Sequence, residues 1–589
     1  MSQENSERAD RSAQGAGVSR RQFVKGVSSL AAAAAWAPLF RLTPADAAAG
    51  DPPSDFPAGI AVYRQGFENW AGDIKIDALW TCAPATPQQV VTLANWAKQQ
   101  GYRLRPRGSM HNWSPLSVSA DTPADARVLM VDTTEHFTAM QMIAPLPLAA
   151  VRVQAGVMLE TLLGFLEQNG CGLTAAPAPG DVTIGGVLAV DGHGTGIPAR
   201  GETRKPGQSF GSLSNLILAL TAVVWDQGEQ AYVLRRFERS HPHCKALMTH
   251  LGRSFVTEVE LRVAANCKLR CVSRMDIPAS EMFAAPGSGG RTLASFIEQS
   301  GRVEAIWFPF TSNPWLKVWS VSPIKPLLSR AVSQPYNYVF ADSIPRLVND
   351  LADQVMSGIG AATPVFGNAE YLASTAGLVA TLSADIWGPS KNLMLYVKPT
   401  TLRVTANGYA ILTSRANIQR VVSEFTGKYQ SMMEWYQARG RYPVNGPVEI
   451  RVTGLDQPGD VGVPGAEAPA LSAVRPRADH PEWDVAVWLD LLTFPGTPGA
   501  NEFFREFELW AFEHFSGNYA SMRVEWSKGW GYGSEAAWTD PAVLGDRIPQ
   551  GFRAAASSDE DWDWALRRLD QYDPHRIFSS PMLDRLMPV

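Results

Sequence analysis

The stretch that decides the fold is RLRPRGSMHNWSPLS, residues 103–117. Arg103, Arg105 and Arg107 alternate with the period of a β-strand, and Gly108 then permits a tight turn that carries His111. Further on comes a Gly-dense segment, PGDVTIGGVLAVDGHGTG, residues 179–196. Glycine lets backbone N–H groups approach a diphosphate closely. Neither a Walker loop nor GxGxxG is present, which disfavours a Rossmann site.

The flanks of these two segments alternate short strands with helices. IDALWTCA, ARVLMVDTT and AAVRVQAGV read as strands. TPQQVVTLANWAKQQG predicts a helix capped by Thr86 and stopped by Gly101, and LETLLGFLEQNG a helix ending at Gly170. ALTAVVWD and SFVTEVELRVA close this α+β region near Ala265. The middle of the chain has longer alternating runs: RVEAIWFPFT, LKVWSVSP, NLMLYVKP and PVEIRVTG, with IPRLVNDLADQVMSG as a helix between them. That texture predicts an antiparallel sheet with helices on one face. Residues 456–477 are rich in Pro, Gly and Ala and read as a surface loop, passive or a lid. FFREFELWAFEHF predicts an amphipathic helix near the end.

The chain has 589 residues, 45% hydrophobic and 19% charged, so it has the apolar material for large cores and is not globally disordered. Its net charge of -5 argues against a nucleic-acid partner. The 19 Trp and 24 Phe supply aromatic surface for an apolar pocket. The five cysteines form no CxxC pair, so neither a disulfide framework nor a zinc site is implied, although a single bridge stays open. His241, His243 and Cys244 lie close together without further ligands at useful spacing and are read as loop.

Residues 1–47 read as an export signal: SRRQFVK with the Arg20–Arg21 pair, an apolar run, then Ala45-Asp46-Ala47. The paired arginines match the twin-arginine pattern, which makes the twin-arginine translocase an expected partner and the destination secreted or periplasmic. Export in the folded state favours an enzyme that carries a bound redox cofactor.

The helix ending at Gly101, the Arg-Gly-x-x-His turn, the VQAG strand and the IGG…GHGTG loop together resemble the FAD-binding domain of the vanillyl-alcohol oxidase superfamily. The likeness continues through LGRSFVTEVELRV to YDPHRIF near the end. It implies an α+β, two-domain fold of vanillyl-alcohol oxidase type with an antiparallel-sheet substrate domain. The expected divisions are an FAD-binding domain over 57–265, a substrate domain over 266–500, and a segment over 501–589 that returns to the FAD domain. It implies covalent FAD, joined by His111 to the flavin 8α-methyl. Arg107, Gly108, Ser109, Met110 and Asn112 are expected around the cofactor on the His111 side. Asp181, Thr183, Gly185, Gly186, His193 and Gly194 are expected on the other side, with a structural role as the competing reading of His193. Arg105 and Arg107 are expected to orient the turn or the cofactor.

The segments RPRGSMHNWSPLS, SGRVEAIWFPFT and GPVEIRVTG resemble the bacterial sterol oxidases with covalent FAD within that superfamily. Alditol, aldonolactone or oligosaccharide oxidation is the alternative on the same scaffold. Alternation places Glu304 with Arg302 and Ile306 on one face of its strand, and Glu449 with Arg451 on one face of another. A carboxylate in such apolar strands has its pKa raised unless Arg451 pairs with it. Glu304 is the expected base and Glu449 the next, with Arg451 stabilising alkoxide character or gating access to the flavin. A surface salt bridge is the plain alternative for Glu449 and Arg451. The resemblance implies a second step, migration of the C5 double bond to C4, and reoxidation by O₂. In RVEWSKGWG, Lys528 is expected at the flavin N1–C2 carbonyl, and Glu525 stands where related sugar oxidases carry histidine. A sterol substrate further implies transient contact with membranes or lipid particles.

Overall fold

The computed structural model describes residues 51–205, 207–338, 346–399, 401–553 and 561–589. The segment read as an export signal lies outside them. The first sheet contains β1 (Ala61–Glu68), β2 (Lys75–Ala83), β3 (Arg103–Arg107) and β4 (Val128–Asp132) in the order β1-β2-β4-β3. The helix Pro87–Gln100 links β2 to β3. Thr86 caps it by accepting from the Gln89 amide at 3.3 Å, and Gly101 ends it in the left-handed conformation at φ 69. The buried stripe of this helix includes Val90, Leu93, Ala94 and Ala97.

The second sheet is antiparallel and joins β5 (Met140–Ala144) and β6 (Ala150–Gln154) to three longer strands. A two-residue pair, β7 (Cys171–Gly172), lies between them in sequence. The longer strands are β8 (Ile217–Asp226), β9 (Ala231–Glu238) and β10 (Phe255–Arg262), in the order β5-β6-β10-β8-β9. β11 (Ala264–Ala265) pairs with β7. Asp573 of the YDPHRIF run packs against this half: it accepts from the Tyr232 hydroxyl at 2.6 Å and from Arg253 at 2.9 Å.

The third sheet has nine strands. They are β12 (Lys268–Arg274), β13 (Arg302–Trp307), β14 (Trp315–Val321), β15 (Arg330–Ala331), β16 (Asp385–Pro389), β17 (Thr405–Thr413), β18 (Val448–Gly454), β19 (Val485–Thr493) and β20 (Ala520–Val524). Their order is β15-β16-β12-β14-β13-β18-β19-β17-β20, antiparallel except for β15 and β16. Every position of β13 and β19 is buried. Helices Ile418–Gln437 and Ala500–His514 cover one face, with Tyr429 against Trp307 and Phe507 against Tyr409. The opposite face holds Glu304, Arg451 and Asp490 and lines a cavity.

Two expectations need correction. NLMLYVKP is not a strand: Ser390–Met394 is a short helix, and Leu393, Met394 and Leu395 are buried in succession, which the alternation of a half-exposed strand does not allow. Residues 456–477 are a surface loop only in part: Gly459, Gly462, Pro464 and Gly465 are exposed, whereas residues 468–475 are buried. Leu471, Ala473 and Val474 are fully buried. Asp456 accepts from the Ser212 amide and hydroxyl at 2.6 and 2.8 Å, and Asp191 accepts from the Ala473 amide at 2.7 Å. The segment is a strap tied in both directions: its Asp456 carboxylate satisfies the Ser212 amide of the first half, and Asp191 of the first half satisfies the Ala473 amide of the strap. All five cysteines are free thiols.

Candidate active site

The His111 turn is built from β3 outward. Arg105 is fully buried and its guanidinium donates to the carbonyls of Ser117 (3.2 Å), Leu116 (2.7 Å), Gly252 (2.8 Å) and Phe578. It therefore holds the returning limb of the loop, and burial, with Arg253 nearby, lowers its pKa to about 9. Arg107 donates to Gly66 O at 3.1 Å and pairs with Asp132 at 4.0 Å. At Gly108 a Cβ would collide with Thr183 Oγ1, so only glycine lets the two segments meet there. Met110 follows at φ 56, a left-handed conformation unusual for this residue type, and the strain turns His111 into the cavity wall.

His111 sits between Trp70 and Trp113, with ring centroids 5.2 and 5.9 Å away. The far side of the turn is tied to a segment four hundred residues later in the chain. The Trp113 amide donates to Ser527 O at 3.0 Å, and Ser114 Oγ donates to Trp526 O at 2.7 Å. Burial first, and the Lys528 ammonium second, lower the His111 pKa to about 4. The imidazole is thus neutral at neutral pH, the form that acts as a nucleophile.

The opposite bank is helix Ile184–Ala189 and the turn after it. Thr183, Gly185, Gly186, His193 and Gly194 line the same cavity as Ser109, Met110 and Asn112. Asp181 does not: its neighbours Val182 and Thr183 face the cavity, while burial raises its own carboxyl. The Gly185 amide already donates to Ala155 O at 2.8 Å, so it is not available to a phosphate. His193 stacks on Trp488 at 3.6 Å and lies 3.6 Å from Glu525, a well-anchored ring that also forms part of the wall.

The third wall is a charged ladder across the nine-stranded sheet. Glu304 of β13 is paired in register with Lys317 of β14 on one side and Arg451 of β18 on the other. Arg451 Nε donates to Glu304 Oε1 at 2.9 Å, its Nη1 to Asp490 Oδ2 at 2.9 Å, and its Nη2 to Glu449. The Tyr396 hydroxyl donates to Glu304 Oε2 at 2.7 Å, and Lys317 Nζ lies 3.5 Å from the same oxygen. The pairing expected of Arg451 is present, and it engages both candidate bases. Burial alone would raise the Glu304 carboxyl, but Lys317 and Arg451 outweigh it and hold it below its ordinary value. Asp490 behaves oppositely: burial and then Glu525 push it up to about 7 against Lys528 and Arg451.

Lys317, Tyr396 and Asp490 were not among the residues singled out from the sequence. Lys317 is completely buried, with its ammonium 3.0 Å from the Tyr396 ring centroid. Asp490 does leave a signal, being the one charged residue in the apolar run VAVWLDLLT. Lys528 Nζ lies 3.5 Å from Asp490 Oδ2 and 4.3 Å from the Trp113 ring, which brings the ladder to the His111 turn. One cavity of about 430 Å³ is lined by all three walls. A turn with no room for a Cβ, a neutral imidazole and a buried ammonium in one largely apolar cavity are a donor set suited to a flavin.

Residues 79–210 match the family model described as FAD binding domain, and residues 268–588 match the model described as cholesterol oxidase, substrate-binding. Fold and site thus define an FAD-dependent oxidoreductase. The chain is similar to a solved solvent-stable cholesterol oxidase, with 58% identity and a TM-score of 0.90 over 91% of this chain and 100% of that one. It is 45% identical to cholesterol oxidase from Brevibacterium sterolicum (TM-score 0.89, 91% of this chain and 99% of that one). The chain belongs to the cholesterol oxidase family. L-gulonolactone oxidases from Bos taurus and Mus musculus are 25% identical over 252 residues, 42% of this chain and 49% of theirs. That match spans about half the length of these curated relatives.

Proposed function

We propose that this chain is a cholesterol oxidase that converts the 3β-hydroxyl to a ketone, moves the C5 double bond to C4, and carries its FAD on a covalent bond from His111. The observation that carries the reading is the single cavity shared by the His111 turn and the Glu304–Arg451 ladder. The chemistry supplied by bound FAD is acceptance of the two electrons of alcohol oxidation and their delivery to O₂ as hydrogen peroxide.

The chain's own residues do the rest. Glu304 is held ionised and takes the hydroxyl proton, with Glu449 the next candidate. Arg451 is placed to stabilise alkoxide character at the substrate oxygen, or to gate the approach to the flavin. A carboxylate of the ladder then shuttles one proton between two ring carbons in the isomerisation. Lys528 supplies fixed positive charge for the reduced cofactor, and the Gly108–Met110 turn with Gly186 holds the diphosphate side. Adding cholesterol to the purified protein should release hydrogen peroxide and cholest-4-en-3-one. Turnover of L-gulonolactone and not of cholesterol would refute the reading.

The same proposal includes export by the twin-arginine pathway to the periplasm or exterior, supported by the pattern of residues 1–47. It also includes transient contact with lipid. The outer face of helix Thr363–Ala380 exposes Val365, Leu372 and Val379, and Ile324, Leu327 and Leu328 are 84%, 92% and 90% exposed. Cosedimentation with sterol-containing vesicles tests this contact.

A further inference from the structure

Among the ionisable side chains that line the cavity is one, on a helix of the substrate half, for which the reaction proposed above has no use. Helix Thr363–Ala380 contains a single charged residue, Glu370, and this residue lines the cavity beside Ala373 and Val348. Its Oε2 is buried and has no hydrogen-bond partner among the described residues. Among the described residues no cation is set against it. Burial pushes its carboxyl well above the ordinary range and so favours the protonated form, which has one donor and one acceptor on offer. An unpartnered polar group in an apolar wall costs stability unless something that enters the cavity pairs with it.

The position of Glu370 says which part of a ligand it meets. Glu304, Ile306 and Phe308 follow one another along the cavity floor at alternate positions of β13 and its extension. Four residues of strand separate the first from the third, roughly 13 Å. The helix sits at the Phe308 end: Asn368 Nδ2 donates to Phe310 O at 3.2 Å, and the Tyr371 hydroxyl donates to Met275 O at 2.7 Å. Glu370 lines the cavity from this helix, which meets the chain at Pro309 and Phe310, beyond the Phe308 end of β13.

We propose that Glu370 is a second polar anchor in the substrate cavity, which hydrogen-bonds a hydroxyl or ketone on the D ring or side chain of a 3β-hydroxysteroid. The proposal rests on the sterol reading above. A protonated acid donates to a ketone and both donates to and accepts from a hydroxyl. A substrate with a wholly hydrocarbon tail leaves the acid unpaired, so doubly oxygenated steroids are the better match for this cavity.

The test compares kcat/KM of the purified holoenzyme for cholesterol, 25-hydroxycholesterol and dehydroepiandrosterone. The variants are Glu370→Leu, Glu370→Met and Glu370→Gln, with FAD content checked by absorbance. The ratio of an oxygenated substrate to cholesterol should fall about tenfold or more in Glu370→Leu and Glu370→Met, and stay within about threefold of wild type in Glu370→Gln. The two apolar variants differ in shape, so one that fails to fold leaves the other to report. An unchanged ratio for both oxygenated probes overturns the anchor while cholesterol turnover persists. Absence of turnover with all three steroids in the wild type overturns the sterol reading itself, and the anchor with it.

Discussion

Arg451 Nε lies 2.9 Å from Glu304 Oε1, and the two residues face each other directly across β13 and β18. One guanidinium therefore grips the candidate base, while its other nitrogens hold Glu449 and Asp490. The ladder is a single electrostatic unit, in which changing one member shifts the others.

Glu304→Gln keeps the shape of the side chain and removes the proton acceptor. Anaerobic reduction of the cofactor by cholesterol should slow by about 10²–10⁴-fold, with FAD content unchanged. Stopped-flow absorbance measures it. A wild-type rate would move the role of base to Glu449.

Lys317 does not line the cavity but holds Glu304 below its ordinary pKa. Without the ammonium that carboxyl must rise. A base works only when ionised, so the acid limb of the pH–rate profile should move to higher pH in Lys317→Met and return in Lys317→Arg. A limb that stays put in Lys317→Met shows that Lys317 serves packing alone.

Asp490 is raised by burial from 3.8 to about 7. Its folded form binds a proton more tightly than its unfolded form, so its contribution to stability falls as pH rises between those values. Asp490→Asn cannot ionise. Its melting temperature relative to wild type should therefore climb from pH 5 to pH 8, measured by thermal unfolding with loaded cofactor. A constant difference would show that Asp490 is ionised throughout.

The proposed tether at His111 has a simple readout. Acid-precipitated wild-type protein should stay yellow, and His111→Ala should lose its colour to the supernatant. Because the imidazole protonates only near pH 4, attachment should be complete across pH 6 to 8. Colour freed from the wild type would rule the bond out.

The first half of the molecule was readable because its signals are local. Thr86 and Gly101 mark a helix by capping chemistry, and Arg103 to Gly108 mark a strand and its turn. Glu304 and Arg451 were readable as charges in apolar alternating runs. Lys317 was not, since its importance comes from the register that sets β14 beside β13, and register is a property of pairing. Tyr396 follows helix Ser390–Met394 in a run whose alternation predicts a strand, and only tertiary packing sets its hydroxyl on Glu304. The strap over residues 456–477 misled for a related reason. Its Pro, Gly and Ala content says how the backbone turns, whereas its burial depends on Asp191 and Ser212, far away in sequence.

The grip on the His111 turn also orders events in time. Arg105 completes its fan only on Phe578 O, and the turn itself is pinned by Trp526 and Ser527. A ribosome has to deliver these late residues before the early strand can settle. A nascent chain halted before residue 526 would already hold the Arg-Gly-x-x-His turn and the IGG…GHGTG loop, yet it would lack the clasp that shapes the pocket. The shape of the His111 turn is therefore fixed by residues that are made last.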